Sequence, residues 1–342
     1  MPLWQEAAAA RPALMAHLES LAAGEQCPVV VAHDEAEDPL YGNTSKFLLR
    51  LADGAEVEAV SIPMTEDGHR TVCVSSQVGC KQGCAFCRTA RMGLVRDLSA
   101  HEIVGQVVAV NRATGRPARN VVFMGMGEPL DNAIAVAQAA RVLSERSGCC
   151  LSWEHITVST VGRLAGLSRW EEVGLGRANL AVSLHAADEA VRASLVPAAR
   201  IEPLAELRAA LGALRLPRGR RIMLAVVVIP GVTDTPPLIE ALVRWIGGLP
   251  ALVNLIPFNP FPGVPWRAPT RDESWAMCQA LDARGIAVRM RVTKGRDVLA
   301  ACGQLARDRR AAVGDELGGQ GTALVAASPA SENRPPRGGG RI

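Results

Sequence analysis

The chain has 342 residues, of which 49% are hydrophobic and 21% charged, with a formal net charge of +3. Such a composition excludes a disordered polyelectrolyte, and with no run near the ~18 apolar residues of a membrane helix it excludes a helical membrane protein. The small net charge makes no case for nucleic-acid binding by itself, and nine cysteines, an odd number, argue against a framework of paired disulfides.

Residues 3–23 carry helical patterning, and the start lacks the basic and apolar segments of a secretory signal, so a cytoplasmic protein is expected. "CPVVVAH" then reads as a strand and "DEAEDPLYGN" as a turn-rich connection. "SKFLLRLADGAEVEAVSIP" (45–63) reads as a β-hairpin, with Asp53-Gly54 supplying the turn. From residue 70 short β-branched runs alternate with helical windows. Strands are expected at 71–76, 120–125, 156–160, 178–184, 221–229, 251–258 and 287–292, and helices at 99–113, 131–146, 203–214, 236–246 and 271–284. Ser99 with Glu102 three residues on has capping-box spacing. Residues beyond about 314, rich in Gly, Pro and Ser, are expected to be disordered. The implied organisation is a small α+β element over 1–69, a catalytic unit over 70–305 and an extension over 306–342.

Apolar strands separated by helices imply a parallel sheet, either doubly wound or closed toward a barrel. Periodicity does not choose between them. Polar words follow successive strand ends ("GMGEP", "STVG", "SLH", "NPF"), and a barrel-like α/β fold would gather such groups around one mouth.

The densest chemistry is "VSSQVGCKQGCAFCRTARMG" (74–93), where Cys80, Cys84 and Cys87 form C-x3-C-x2-C. Three soft thiolates suit zinc or an iron-sulfur cluster. A structural zinc wants four closed ligands, and neither a second C-x2-C nor a nearby His pair is present. A four-iron cluster on three cysteines keeps one iron open for a further ligand. Arg88, Arg91 and Arg96 make one local basic patch, and Arg200, Arg208, Arg215, Arg218, Arg220 and Arg221 another; each could track phosphates or be a solvated face. In "FNPFPGVPW", Phe258, Phe261 and Trp266 could stack a base or simply rigidify a proline-rich loop.

The surrounding words carry more. "CVSSQVGCKQGCAFCRTARMGLVRDLSAHEIVGQV", "NVVFMGMGEPLDN", "ITVSTVG", "AVSLHA", "NLIPFNPFPG" and "AACGQL", in that order over about 45–305, resemble the radical S-adenosylmethionine RNA adenine methyltransferases, the RlmN type and its Cfr relatives. The resemblance implies an α/β fold, a partial (β/α)6-type barrel. It implies one 4Fe-4S cluster per chain on Cys80, Cys84 and Cys87, and two S-adenosylmethionine molecules per turnover. Cofactor contacts map onto Gly127, Glu128, Ser159, Ser183, Leu184, His185 and Asn259.

Adenine carbon 2 or carbon 8 is not a nucleophile that can displace a sulfonium methyl group. The family's answer maps a methyl-carrying cysteine onto Cys302, a resolving cysteine that releases the product by disulfide formation onto Cys73, and a proton acceptor onto Glu58. Implied partners are ribosomal RNA and transfer RNA, and an electron donor such as flavodoxin or ferredoxin; the chain is expected to act as a monomer away from membranes. Methylation at carbon 2 is favoured, with carbon 8, a non-RNA substrate or a non-catalytic iron-sulfur protein as alternatives. The region before the hairpin is shorter than is usual in the family, and Arg88 stands where Ser is common.

Overall fold

The computed structural model describes residues 27–306 apart from 38–41, 65–68, 147, 199–201, 292–294 and 296–297. The helix expected over 3–23 and the tail beyond 314 lie outside the described residues.

Ten strands make one sheet: β1 Val29–Ala36, β2 Thr44–Arg50, β3 Glu56–Pro63, β4 Arg70–Cys73, β7 Asn120–Phe123, β8 Ile156–Thr160, β9 Asn179–Ser183, β10 Ile222–Val228, β11 Ala251–Pro257 and β12 Val288–Met290, hydrogen-bonded in that order. The first four run antiparallel, and from β4 onward every pairing is parallel. The expected hairpin is β2–β3, and Gly54 takes φ +83° in its turn. Its second strand pairs with β4, so the hairpin is continuous with the parallel sheet.

Among the described residues seven helices flank the parallel part: α1 Ala100–Thr114, α2 Ala133–Ser144, α3 Leu164–Ser168, α4 Glu189–Leu195, α5 Leu204–Ala213, α6 Pro236–Ile246 and α7 Arg271–Asp282. α1 starts on the anticipated capping box, with both Ser99 and Glu102 bonds formed. Thr270 and Glu273 do the same for α7. α3 and α4, of five and seven residues, are too short to show a helical period and were not anticipated. Nor was the two-stranded sheet of β5 Gln77–Gly79 and β6 Leu94–Asp97, whose strands offer too little alternation to be seen.

Strand β10 shows how the sheet divides its faces. Leu224, Val226 and Val228 join the apolar core with Ile239, Leu242 and Ile246 of α6, whereas Met223, Ala225 and Val227 line a cavity on the other face. That cavity also takes residues from the carboxyl ends of β7, β8, β9 and β11, and Arg291 just past β12. If flat, the seven strands from β4 to β12 would spread their ends over roughly 29 Å at about 4.8 Å per spacing. A single cavity of about 160 Å³ can meet so many of those ends only because the sheet curls, as the expected partial barrel requires. Among the described residues no helix is long and apolar enough to cross a membrane.

Candidate active site

The cysteine loop is clamped at its neck. The Cys80 N–H donates to Gly93 O at 2.9 Å, just beyond the β5–β6 pairing. Gly79 has φ +80°, and a Cβ there would lie 1.8 Å from Gly93 O, so only glycine lets the two limbs meet. Further along, Ala85 N donates to Leu195 O of α4 at 2.9 Å. Cys80, Cys84 and Cys87 all line the cavity. Burial pushes the Cys80 thiol up to about 12, the Cys84 thiol well above its ordinary value, and the Cys87 thiol upward. Among the described residues, no three His, Cys, Asp or Glu side chains already surround one point closely enough for a single metal ion. The donor set nonetheless suits an iron-sulfur cluster: three soft sulfurs on one rigid loop, buried where a thiolate is costly unless a metal neutralises it.

Facing them is His185, buried at φ +62° after β9, with the Phe86 ring edge-on at 4.4 Å. Its Nδ1 accepts the Val227 N–H at 3.2 Å, which leaves the proton on Nε2. Burial first, then the charge of Arg192, lower its pKa to about 3, so the ring is neutral. Buried Nε2 has no partner among the described residues, a donor waiting for an acceptor in the cavity His185 lines.

Glu128 is the cavity's carboxyl group. Its oxygens accept Leu130 N–H at 3.0 Å and Val161 N–H at 2.8 Å, and its own N–H donates to Gln77 Oε1 at 2.8 Å. Burial outweighs those donors and raises its pKa to about 7. At Gly127, φ +104°, a Cβ would lie 2.7 Å from Gln77, so the backbone approaches this wall closely. Ser159, Ser183 and Asn259 also line the cavity. Leu184 does not; its side chain is buried in the apolar core and its N–H donates to Ala225 O at 3.1 Å.

A second cavity of about 80 Å³ adjoins the first and shares Cys87, Met124, Asn259, Arg291 and Cys302 with it. Cys73, at the end of β4, lines it together with the Cys302 segment. That segment is bolted to the cysteine loop. Arg88 N donates to Gly303 O at 2.8 Å and Thr89 Oγ1 to Leu305 O at 2.7 Å, while Asn259 Nδ2, after β11, donates to Cys302 O at 3.3 Å. Gly303 takes φ +82°, where a Cβ would come 2.9 Å from Phe86 O. Glu58 lies outside both cavities. It is fully buried, 3.4 Å from the Lys46 ammonium, and accepts the Ala306 N–H at 2.8 Å.

The basic and aromatic stretches resolve differently from one another. Arg88 donates to Gln304 O, Arg91 to Pro262 and Gly263 carbonyls, and Arg96 pairs with Asp53 and Glu102, so all three brace loops. In the second patch Arg208 bonds the carbonyls of Trp245 and Gly247, and Arg220 that of Arg177. Arg220 and Arg221 precede β10, and neither lines the cavity. Of the aromatics, Phe258 lines the cavity, Trp266 packs edge-on to it at 5.8 Å, and Arg91 lies over Phe261 at 4.9 Å. The loop is a packed one with a single ring at the cavity wall. Sequence reasoning missed Arg291, Lys46 and the unpartnered His185 nitrogen; a lone basic residue in "VRMRV" or "TSKFLL" carries no spacing to mark it.

Residues 74–241 match the model of the Radical SAM superfamily. The chain is 44% identical over 281 residues to the dual-specificity RNA methyltransferase RlmN of Syntrophobacter fumaroxidans, covering 81% of this chain and 79% of that protein. It is 44% identical over 272 residues to the protein of the same description from Geotalea uraniireducens, covering 79% and 77%. A solved structure of a radical SAM methyltransferase from Sphaerobacter thermophilus superposes with a TM-score of 0.77 at 40% identity, covering 84% of this chain and 85% of that one.

Proposed function

From the premise that the chain belongs to the radical SAM superfamily and, within it, to the RlmN family, we propose that it methylates a ring carbon of adenine in RNA, at carbon 2. The observation that carries this reading is the shared second cavity: Cys73 and Cys302, remote in sequence, line one space that opens onto the thiol-lined cavity. A methyltransferase working by direct displacement has no use for two such thiols, whereas a carrier and a resolving thiol must meet.

The residues then divide the work. Cys80, Cys84 and Cys87 would hold a 4Fe-4S cluster, and Gly127, Glu128, Ser159, Ser183, His185 and Asn259 would hold S-adenosylmethionine; Leu184, expected among them, does not line the cavity, and its N–H and C=O are taken by Ala225 and Ala186. When bound, this pair supplies a methyl group and the one-electron chemistry that activates it. Glu128 presents a carboxyl group to an ammonium, and the neutral His185 offers its Nε2 proton to an anionic or carbonyl oxygen. The apolar wall formed by Met223, Ala225, Val227 and Phe258 excludes water from the reacting carbon. Cys302 would carry the methyl group to the base, and Cys73 would attack its sulfur to free the product. Glu58, the expected proton acceptor, would reach the base only after the segment it holds at Ala306 shifts. Ribosomal RNA is the substrate we favour, with transfer RNA a second, and a flavodoxin- or ferredoxin-like donor supplying the electron to a cytoplasmic monomer.

Nucleotide mass spectrometry of ribosomal and transfer RNA from cells with and without the gene tests the proposal. Loss of 2-methyladenosine on deletion is the expected result. Loss of 8-methyladenosine would move the carbon assignment, and unchanged RNA methylation would overturn the RNA substrate.

A further inference from the structure

The second cavity contains one charged side chain that the chemistry above does not use. Arg291 follows β12, its N–H donating to Leu255 O at 2.8 Å so that its backbone prolongs the pairing with β11. Arg291 lines both cavities, as Cys302 does. Among the described residues it has no carboxylate partner. Its guanidinium lies 4.0 Å from the Met124 sulfur, a weak acceptor. A guanidinium held at a cavity wall with no carboxylate partner among the described residues is placed for an anion that forms or arrives there.

Two anions could come to this place, a phosphate of the bound RNA or a sulfur of the resolving pair. The surroundings of Cys73 favour the sulfur. Burial, and then the neighbouring Cys302 sulfur, push the Cys73 thiol up to about 12, and Arg291 is the one charged side chain acting in the opposite direction. Without a cation this buried thiol would be a poor nucleophile, yet the reading given above requires it to attack.

We propose that Arg291 is a positioning residue for the resolving step, its guanidinium acting as counter-charge to the Cys73 sulfur as it approaches Cys302. The inference rests on the carrier and resolving roles proposed for those two cysteines. In that step the Cys73–Cys302 S–S bond forms as the bond from Cys302 sulfur to the transferred carbon breaks. The bonding electron pair leaves on that carbon, which takes up a proton to become the methyl group of the product. The proton lost earlier by Cys73 is the only other change, and no external oxidant or reductant is consumed.

The test isolates sulfur exchange from methyl transfer. Cluster-loaded wild type, Arg291→Met and Arg291→Lys are treated with glutathione disulfide in the absence of S-adenosylmethionine and RNA, and the Cys73–Cys302 linked peptide is followed by mass spectrometry. Loss of the cation should slow its formation about tenfold in Arg291→Met, with Arg291→Lys restoring most of the rate. RNA affinity, measured on the same proteins, should be unchanged. A wild-type rate in Arg291→Met, or equal slowing in both variants, overturns the role. Weaker RNA binding with an unchanged disulfide rate overturns it in favour of a phosphate contact. Failure of the carrier reading has its own signature: Cys73→Ala would then form no covalent protein–RNA adduct under turnover conditions, whatever the disulfide rates.

Discussion

Replacing Lys46 by Met should destabilise the protein by about 3 kcal/mol, through the carboxylate it leaves behind. Lys46 is 3% exposed and Glu58 is fully buried, with Nζ and Oε1 3.4 Å apart. Opposite unit charges at 3.4 Å attract by about 5 kcal/mol at an effective dielectric of 20. Much of that is offset by the desolvation of both ions, so the pair itself contributes little net stability. Removing only the cation exposes the other half of the balance, and breaking such a buried pair costs about 3–5 kcal/mol. The lower end applies here, because the Ala306 N–H still donates to Glu58 at 2.8 Å. The second neighbour of Lys46, Asp34 at 3.6 Å, is partly exposed and can be hydrated once the cation is gone. A loss of that size lowers the melting temperature by roughly 5 °C in a domain of this length. Lys46→Met/Glu58→Gln, which removes both charges, should return to within about 1 kcal/mol of wild type. Thermal unfolding of the four proteins completes the cycle, and amide exchange at Ala306 reports whether the Cys302 segment loosens. A single-variant loss below about 1 kcal/mol, or simple additivity in the double variant, would refute the reasoning.

Two further outcomes follow from the cavity. Anaerobically reconstituted protein should bind about four irons per chain with a sulfur-to-iron charge-transfer band, and Ala at Cys80, Cys84 or Cys87 should abolish both; zinc without iron in the wild type would exclude the cluster. In the cluster-free protein, Glu128→Gln should be more stable than wild type by a margin that grows with pH. The folded carboxyl titrates near 7 and the unfolded one near 4.5, so the wild type loses stability as pH rises through that window, up to about 3 kcal/mol above pH 7. Chemical denaturation at pH 5 and pH 8 measures the margin, and a pH-independent difference would show that burial does not disfavour the charged form of Glu128.

Much of the fold was legible because its signals are local. β8 and α6 begin and end where the β-branched run 156–160 and the amphipathic window 236–246 predict, and Ser99 with Glu102 marks the start of α1 through bonds between residues three apart. Short elements escaped for the same reason: α3, α4 and the β5–β6 pair are stabilised by neighbours far along the chain, not by their own period. At the site, the thiol spacing 80–84–87 and the words after each strand named the cavity wall.

The sequence by itself determined which chemistry this protein carries, since soft donors on one loop and a family's ordered words depend only on residue type and spacing. The tertiary structure decided which groups meet. Only the curl of the sheet brings Cys73 and Cys302 to one space, puts Arg291 between the two cavities, and closes Glu58 off beneath Ala306. Those relations depend on how strands far apart in the chain are packed side by side, and no local pattern encodes them. The Gly79 approach to Gly93 and the Gly303 approach to Phe86 are of the same kind: the need for glycine at each is set by backbone that arrives from elsewhere.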